Sequence, residues 1–117
     1  MPTSVLIVDD HPGFRASARR MLEASGYAVV GEAADGTSAI AAVGELGPDL
    51  VLLDVQLPDL DGFEVAERLQ ALGATAQIVL TSSRDGADFG TAIEESPARG
   101  FIAKGELSGP TLAAVTG

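Results

Sequence analysis

Four short stretches of this sequence carry groups suited to handling a phosphate and a metal ion: Asp9-Asp10, Asp54, Thr81-Ser82 and Lys104. Each stands at the end of an apolar run, or directly after one. A carboxylate can act as a nucleophile toward phosphorus, as in aspartyl-phosphate chemistry. Carboxylates brought close together repel, so either a proton or a cation must join them. A hard divalent cation with oxygen ligands answers that need. Mg²⁺ in particular keeps several waters and binds through one or two carboxylates plus phosphate. A hydroxyl and an ammonium nearby would share the phosphoryl oxygens with the metal.

This chemistry depends on elements that bring the four stretches together. Apolar runs occur at Val5 to Val8, Val29-Val30, Leu50 to Leu53, Ile78 to Leu80 and Phe101 to Ala103. They lack polar alternation, which is how strands read when a parallel sheet is covered on both faces. Helical patterns lie between them. His11 can sit at an N-cap with Pro12 at the first helical position. Phe14, Ala18, Met21, Leu22 and Ser25 then share a face, and Gly26 ends the helix. Gly36-Thr37 opens a second helix burying Ile40 and Val43. Gly62 precedes a third, with Val65, Leu69 and Leu72 at helical spacing and Glu64 and Arg68 as an i,i+4 pair. The fourth is expected from about Asp88 to Ser96 and is weak, since it holds Gly90 and Thr91 and is bounded by Gly86 and Pro97. The fifth is short, from about Gly109 to Val115.

Five β-α units predict an α/β fold: a parallel sheet with helices on both faces. By analogy with known folds the strand order is 2-1-3-4-5, with ligands at the carboxyl ends of the strands where the order reverses. Strands 1 and 3 are then neighbours. Asp9, Asp10 and Asp54 crowd one pocket, with Thr81 and Lys104 at its rim.

The pieces resemble a known family. Val5-Leu6-Ile7-Val8-Asp9-Asp10 is similar to the first strand and acidic pair of response regulator receiver domains of two-component signal transduction. Leu52 to Gly62 resembles that family's phosphoacceptor loop, with Pro58 four and Gly62 eight residues beyond Asp54. Ile78-Val79-Leu80-Thr81-Ser82 and Gly100-Phe101-Ile102-Ala103-Lys104 resemble its fourth strand and its switch aromatic and lysine. The match runs from Val5 to Val115. Gly31 to Gly36 and Lys104-Gly105-Glu106-Leu107 look most like receivers that precede a LuxR-type helix-turn-helix.

The resemblance implies a flavodoxin-like receiver fold and a role for each residue. Asp54 would be phosphorylated. Asp9, Asp10, Asp54 and the backbone carbonyl of Gln56 would hold Mg²⁺, for which Mn²⁺ can substitute. Lys104 would contact the phosphoryl group, Thr81 would move to hydrogen-bond it, and Phe101 would turn inward. Gln56 and Ser82 would tune access to the site. The donor would be a histidine kinase or a phosphotransfer protein, and the α4-β5-α5 face would carry the change to an output domain or partner outside this chain. A phosphorylation-linked homodimer is a further expectation. One departure is plain: Gly105 follows Lys104 where many receivers have proline. A cis bond before a non-proline residue costs about 2.5–4 kcal/mol, so a trans bond is expected.

Several residues have a plainer reading beside the chemical one. His11 reads as a helix cap or rim residue, and Asp59 and Asp61 as turn and cap residues before the Gly62 helix. Thr81 can be strand packing and Phe101 static core. Arg15, Arg19 and Arg20 read either as a solvated helix face, with Arg19 paired to Glu23, or as a docking surface for the kinase.

Composition narrows the function classes. A chain of 117 residues fits one domain, expected as a single receiver spanning 1–117. There is no cysteine, so thiolate chemistry and disulfides are excluded. No apolar run reaches the length of a membrane span, and a cytoplasmic setting is expected. A formal net charge of −10 argues against direct nucleic-acid binding. An aspartate-nucleophile phosphohydrolase of the haloacid-dehalogenase type needs Asp-x-Asp after strand 1, whereas this chain has Asp9-Asp10-His11. Nucleotide binding lacks a Gly-rich phosphate loop. The remaining alternative to a phosphorylated switch is a receiver-like docking module that acts through contacts alone. A turnover enzyme is not expected.

Overall fold

A computed structural model describes residues 2–116. Five parallel strands, β1 (Ser4–Val8), β2 (Ala28–Ala33), β3 (Leu50–Asp54), β4 (Gln77–Ser82) and β5 (Gly100–Ala103), form one sheet in the order β2-β1-β3-β4-β5. Between them run α1 (Pro12–Ala24), α2 (Gly36–Leu46), α3 (Gly62–Ala71) and the single turn α4 (Ala92–Glu95), and α5 (Gly109–Thr116) closes the fold. This is the expected architecture and strand order.

The central strands are buried on both faces because their residues alternate between two cores. Leu6, Val8, Val51, Leu53 and Leu80 pack against α2 and α3 through Ala39, Val43, Val65 and Leu69. Val5, Ile7, Leu50, Leu52, Val79 and Ile102 pack against α1 and α5 through Ala18, Leu22 and Leu112. This parity decides where the polar strand ends point. Asp9, Asp54 and Thr81 continue the second set, while Phe101 continues the first.

The local chemistry matches the elements. Gly26 adopts φ 92°, which ends α1. Asp35 caps α2 by accepting the Ser38 amide at 2.7 Å. Asp61 caps α3 through the Glu64 amide at 2.8 Å, and Glu64 and Arg68 pair at 3.2 Å. Arg19 pairs with Glu23 at 3.6 Å.

Four expectations need correction. The fourth helix is not continuous from Asp88 to Ser96: a 3₁₀ turn at Gly86–Phe89 gives way to α4, because Gly90 breaks the chain at φ 58°. Leu72 is not on the buried face of α3. The helix stops at Ala71, and Leu72, its C-cap, is 71% exposed. β2 runs well past Val29-Val30, since Gly31, Glu32 and Ala33 pair with Leu6, Ile7 and Val8. Asp59 does not cap α3. It reaches across to α2, accepting the Gly36 amide at 2.7 Å and the Thr37 amide and hydroxyl at 3.0 and 2.7 Å. Among the described residues no peptide bond is cis, so Lys104-Gly105 is trans as expected.

Candidate functional site

The carboxyl ends of β1, β3, β4 and β5 meet where the strand order reverses. Asp9 follows β1 and its side chain is fully buried. Asp54 ends β3 and is 3% exposed. Such burial of charge is costly unless the groups are paired, and the partner is Lys104. Its ammonium lies 2.6 Å from Asp9 Oδ2 and 3.4 Å from Asp54 Oδ2. It also stands 4.5 Å from the centroid of the Phe14 ring, a cation–π contact on its remaining side.

The backbone around the pocket is held in place. Gly62 lets the β3–α3 loop fold back on itself: a Cβ there would stand 2.5 Å from the Asp54 carbonyl oxygen and 2.8 Å from Val55 Cα. The Gly62 amide donates to the Val55 carbonyl at 2.7 Å. The Gln56 amide donates to Asp54 Oδ1 at 3.2 Å. Arg15 Nη1 donates to the Asp9 carbonyl at 2.6 Å while its Nε holds Glu32 at 3.0 Å.

Electrostatics follow from this packing. Burial pushes the Asp54 carboxyl up, and the charge of Asp9 pushes it further; the Gln56 amide and Lys104 only partly offset them. For Lys104, burial pulls the ammonium down, but the hydrogen bond it donates to Asp9 and the charges of Asp54 and Asp9 outweigh it, leaving it raised. The cation therefore stays charged beside two carboxylates.

Of the residues singled out at the strand ends, Asp9, Asp10, Asp54 and Lys104 come together here, and the rest are placed differently. Asp10 is more exposed than Asp9, with its side chain 37% accessible. Thr81 pairs in register with Asp54 on β4 and shares its face of the sheet. Its hydroxyl is buried with no hydrogen-bond partner among the described residues. Such a group costs stability unless an acceptor joins it. Ser82 is fully buried, and its Oγ accepts the Arg84 amide at 3.1 Å. Gln56 is exposed. Phe101 lies on the other face, packed on Phe89 at 5.8 Å, which in turn meets Phe63 at 5.8 Å.

Two residues near the pocket had other readings from sequence, Arg15 as a solvated helix face or docking surface and His11 as a helix cap or rim residue. Arg15 looks like one more charge on α1, and nothing in its spacing announces the bond to the Asp9 carbonyl. His11 stands at the N-cap position of α1 but makes no side-chain cap bond. Its ring turns back instead, with Nδ1 3.0 Å from Asp9 Oδ1 and 3.1 Å from Asp10 Oδ1. The signal available was adjacency, Asp-Asp-His in direct succession.

Asp9, Asp10, His11 and Asp54 each place one donor atom within 4.8 Å of the others. A donor set dominated by carboxylate oxygens, next to a buried unpaired hydroxyl, fits a hard divalent cation together with an anionic oxygen-rich group.

Comparison with known proteins is consistent with this geometry. The model of the response regulator receiver domain matches residues 5–115. The nitrate/nitrite response regulator protein NarP of Escherichia coli is 38% identical over 104 residues, covering 88% of this chain and 48% of NarP. The DNA-binding transcriptional activator EvgA of Escherichia coli is 30% identical over 112 residues, covering 96% of this chain and 55% of EvgA. The chain thus spans about half the length of the curated relatives it matches. Among solved structures, a LuxR-family two-component response regulator from Aurantimonas superposes with a TM-score of 0.87 at 31% identity, over 99% of this chain and 86% of that one. The signal receiver domain of a modulated diguanylate cyclase from Desulfovibrio desulfuricans gives 0.83 at 34% identity, over 99% and 91%.

Proposed function

The chain belongs to the response regulator receiver family, and on that premise we propose that it is a phosphoacceptor switch with Asp54 as the acceptor. The phosphoryl group comes from a phosphohistidine of a histidine kinase or phosphotransfer protein. An Asp54 carboxylate oxygen forms the new P–O bond as the P–N bond breaks. The electron pair of that bond stays on the donor imidazole, which takes up a proton. The observation that carries this reading is the Lys104 ammonium set between two buried carboxylates, 2.6 Å from Asp9 and 3.4 Å from Asp54.

The residues divide the work. Asp9, Asp10, Asp54 and the Gln56 carbonyl hold Mg²⁺, or Mn²⁺ in its place. When bound, the cation neutralises charge on the phosphoryl oxygens and relieves the repulsion among the carboxylates. Lys104 exchanges its bond to Asp54 for one to a phosphoryl oxygen. The Thr81 hydroxyl, which has no partner in the resting pocket, gains an acceptor. Its movement frees space at the end of β4, and Phe101 turns inward from its packing on Phe89, shifting the α4-β5-α5 face. Gln56, which is exposed, and Ser82, which is buried, tune access to the phosphoryl group. The domain promotes its own phosphorylation and dephosphorylation without being a turnover enzyme.

In this reading the partners are a cytoplasmic kinase or phosphotransfer protein and an output element beyond these residues, with a phosphorylation-linked homodimer as one form of response. A net charge of −10 leaves nucleic acid to that output element.

Intact-protein mass spectrometry after incubation with acetyl phosphate, with and without Mg²⁺, tests the proposal beside Asp54→Asn. One added phosphoryl group that needs both Mg²⁺ and Asp54 is the expected result. No addition to the folded protein would favour a docking module that acts by contacts alone.

A further inference from the structure

His11 is not needed by the reaction just described, yet its ring is turned into the acidic pocket. We infer that His11 is a nitrogen ligand of the same cation site, and that it shifts the metal preference of this domain toward first-row transition metals. The inference rests on the reading of the pocket as a divalent-cation site. It does not depend on phosphoryl transfer.

Geometry carries the argument. Two ligand atoms at right angles around one ion, each about 2.1 Å from it, stand about 3.0 Å apart. Nδ1 of His11 lies 3.0 Å from Asp9 Oδ1 and 3.1 Å from Asp10 Oδ1. Both spacings are those of neighbouring ligands around one ion, and donor atoms of Asp9, Asp10, His11 and Asp54 all lie within 4.8 Å of one another. A hydrogen bond explains this less completely. A single Nδ1–H cannot donate fully to both carboxylates. A shared cation satisfies all three atoms together.

A second observation points to a ligand in the same pocket. Thr81 is 1% exposed and pairs in register with Asp54, and its buried hydroxyl has no hydrogen-bond partner among the described residues. The site is also open on the His11 side, where the side chain is 68% exposed, which leaves an entry path for an ion. Asp9 is pinned from behind, since its Oδ2 meets Lys104 while its Oδ1 faces His11.

The chemical consequence follows from ligand type. Carboxylate, carbonyl and water ligands suit Mg²⁺ and Mn²⁺, whereas an imidazole nitrogen adds most to Co²⁺, Ni²⁺ and Zn²⁺. With His11 in the set, the pocket gains affinity for those ions and little for Mg²⁺. Ni²⁺ would then compete with Mg²⁺ for the place beside Asp54.

The sequence makes the test clean. His11 is the only histidine and there is no cysteine, so no other imidazole or thiolate can bind these ions. Isothermal titration of the untagged protein with Ni²⁺ and with Mg²⁺, for the wild type and for His11→Ala, reads both affinities directly. The expected result is a loss of at least about tenfold in Ni²⁺ affinity on substitution, no less than loss of an outer-shell partner costs. Mg²⁺ affinity should change far less. The proton signals of the one imidazole should shift far more on Zn²⁺ titration than on Mg²⁺ titration. Equal Ni²⁺ affinity in the two proteins, with Mg²⁺ binding intact, would overturn the role of His11 and leave the cation site standing. A wild type that binds neither ion would overturn both.

Discussion

At the scale of single residues, the pocket is a set of costs held in reserve. Asp54 is buried beside another carboxylate, so its carboxyl is raised above the ordinary value. Between that ordinary value and the raised one, the folded protein holds a proton that the unfolded chain has released. Stability therefore falls as pH rises through this window, and the deficit persists at neutral pH. Asp54→Asn removes it while keeping the shape of the side chain, and Lys104 keeps its partner Asp9 at 2.6 Å. Urea denaturation in EDTA should find Asp54→Asn more stable than the wild type at pH 7. The advantage should shrink as pH falls below the ordinary carboxylate range, where Asp54 is neutral in both states. A variant no more stable than the wild type at pH 7 would mean that Lys104 already compensates Asp54 in full.

At the scale of elements, the loop from β3 to α3 is what sets Asp54 in place. Gly62 allows close approach of backbone to backbone, and the obstacles to a Cβ there are the Asp54 carbonyl oxygen and Val55 Cα, neither of which can rotate aside. Gly62→Ala must move the chain at Asp54 itself. We expect a loss of about 1–3 kcal/mol, typical of overpacking, together with slower phosphoryl incorporation from acetyl phosphate. A stable variant with normal incorporation would show that the loop can relax elsewhere. The sequence made this loop legible through Pro58 and Gly62. It made Asp9, Asp54, Thr81 and Lys104 legible as well, because a doubly covered strand is an uninterrupted apolar run and its polar successor stands at the sheet edge. Features that depend on one element reaching another were hidden. Asp59 lies next to α3 in sequence yet binds the amide of Gly36 on α2. Arg15 reads as surface until β1 is beside α1. The break at Gly90 was foreshadowed only by weak helix propensity, and Leu72 kept the apolar spacing one residue past the end of its helix.

At the scale of the whole molecule, a domain with a net charge of −10 repels itself at every pH near neutrality. Any salt relieves that repulsion by screening, so stabilisation by Mg²⁺ is not by itself a sign of a site. The two effects differ in form. Screening acts over the entire surface and rises gradually with ionic strength. Binding at the site proposed at Asp9, Asp10 and Asp54 would saturate, and a ligand held only by the folded state adds about 2.7 kcal/mol at a concentration 100 times its Kd. Calorimetric unfolding in Mg²⁺ and in NaCl of equal ionic strength separates them. We expect the wild type to gain the saturable increment in Mg²⁺ over and above the NaCl response. Asp10→Asn keeps nearly the same surface charge but lacks one proposed ligand, so it should retain the NaCl response and lose most of the Mg²⁺ increment. If both proteins respond alike to the two salts, the acidic pocket is only part of a general negative field, and the cation chemistry proposed for Asp54 loses its thermodynamic basis.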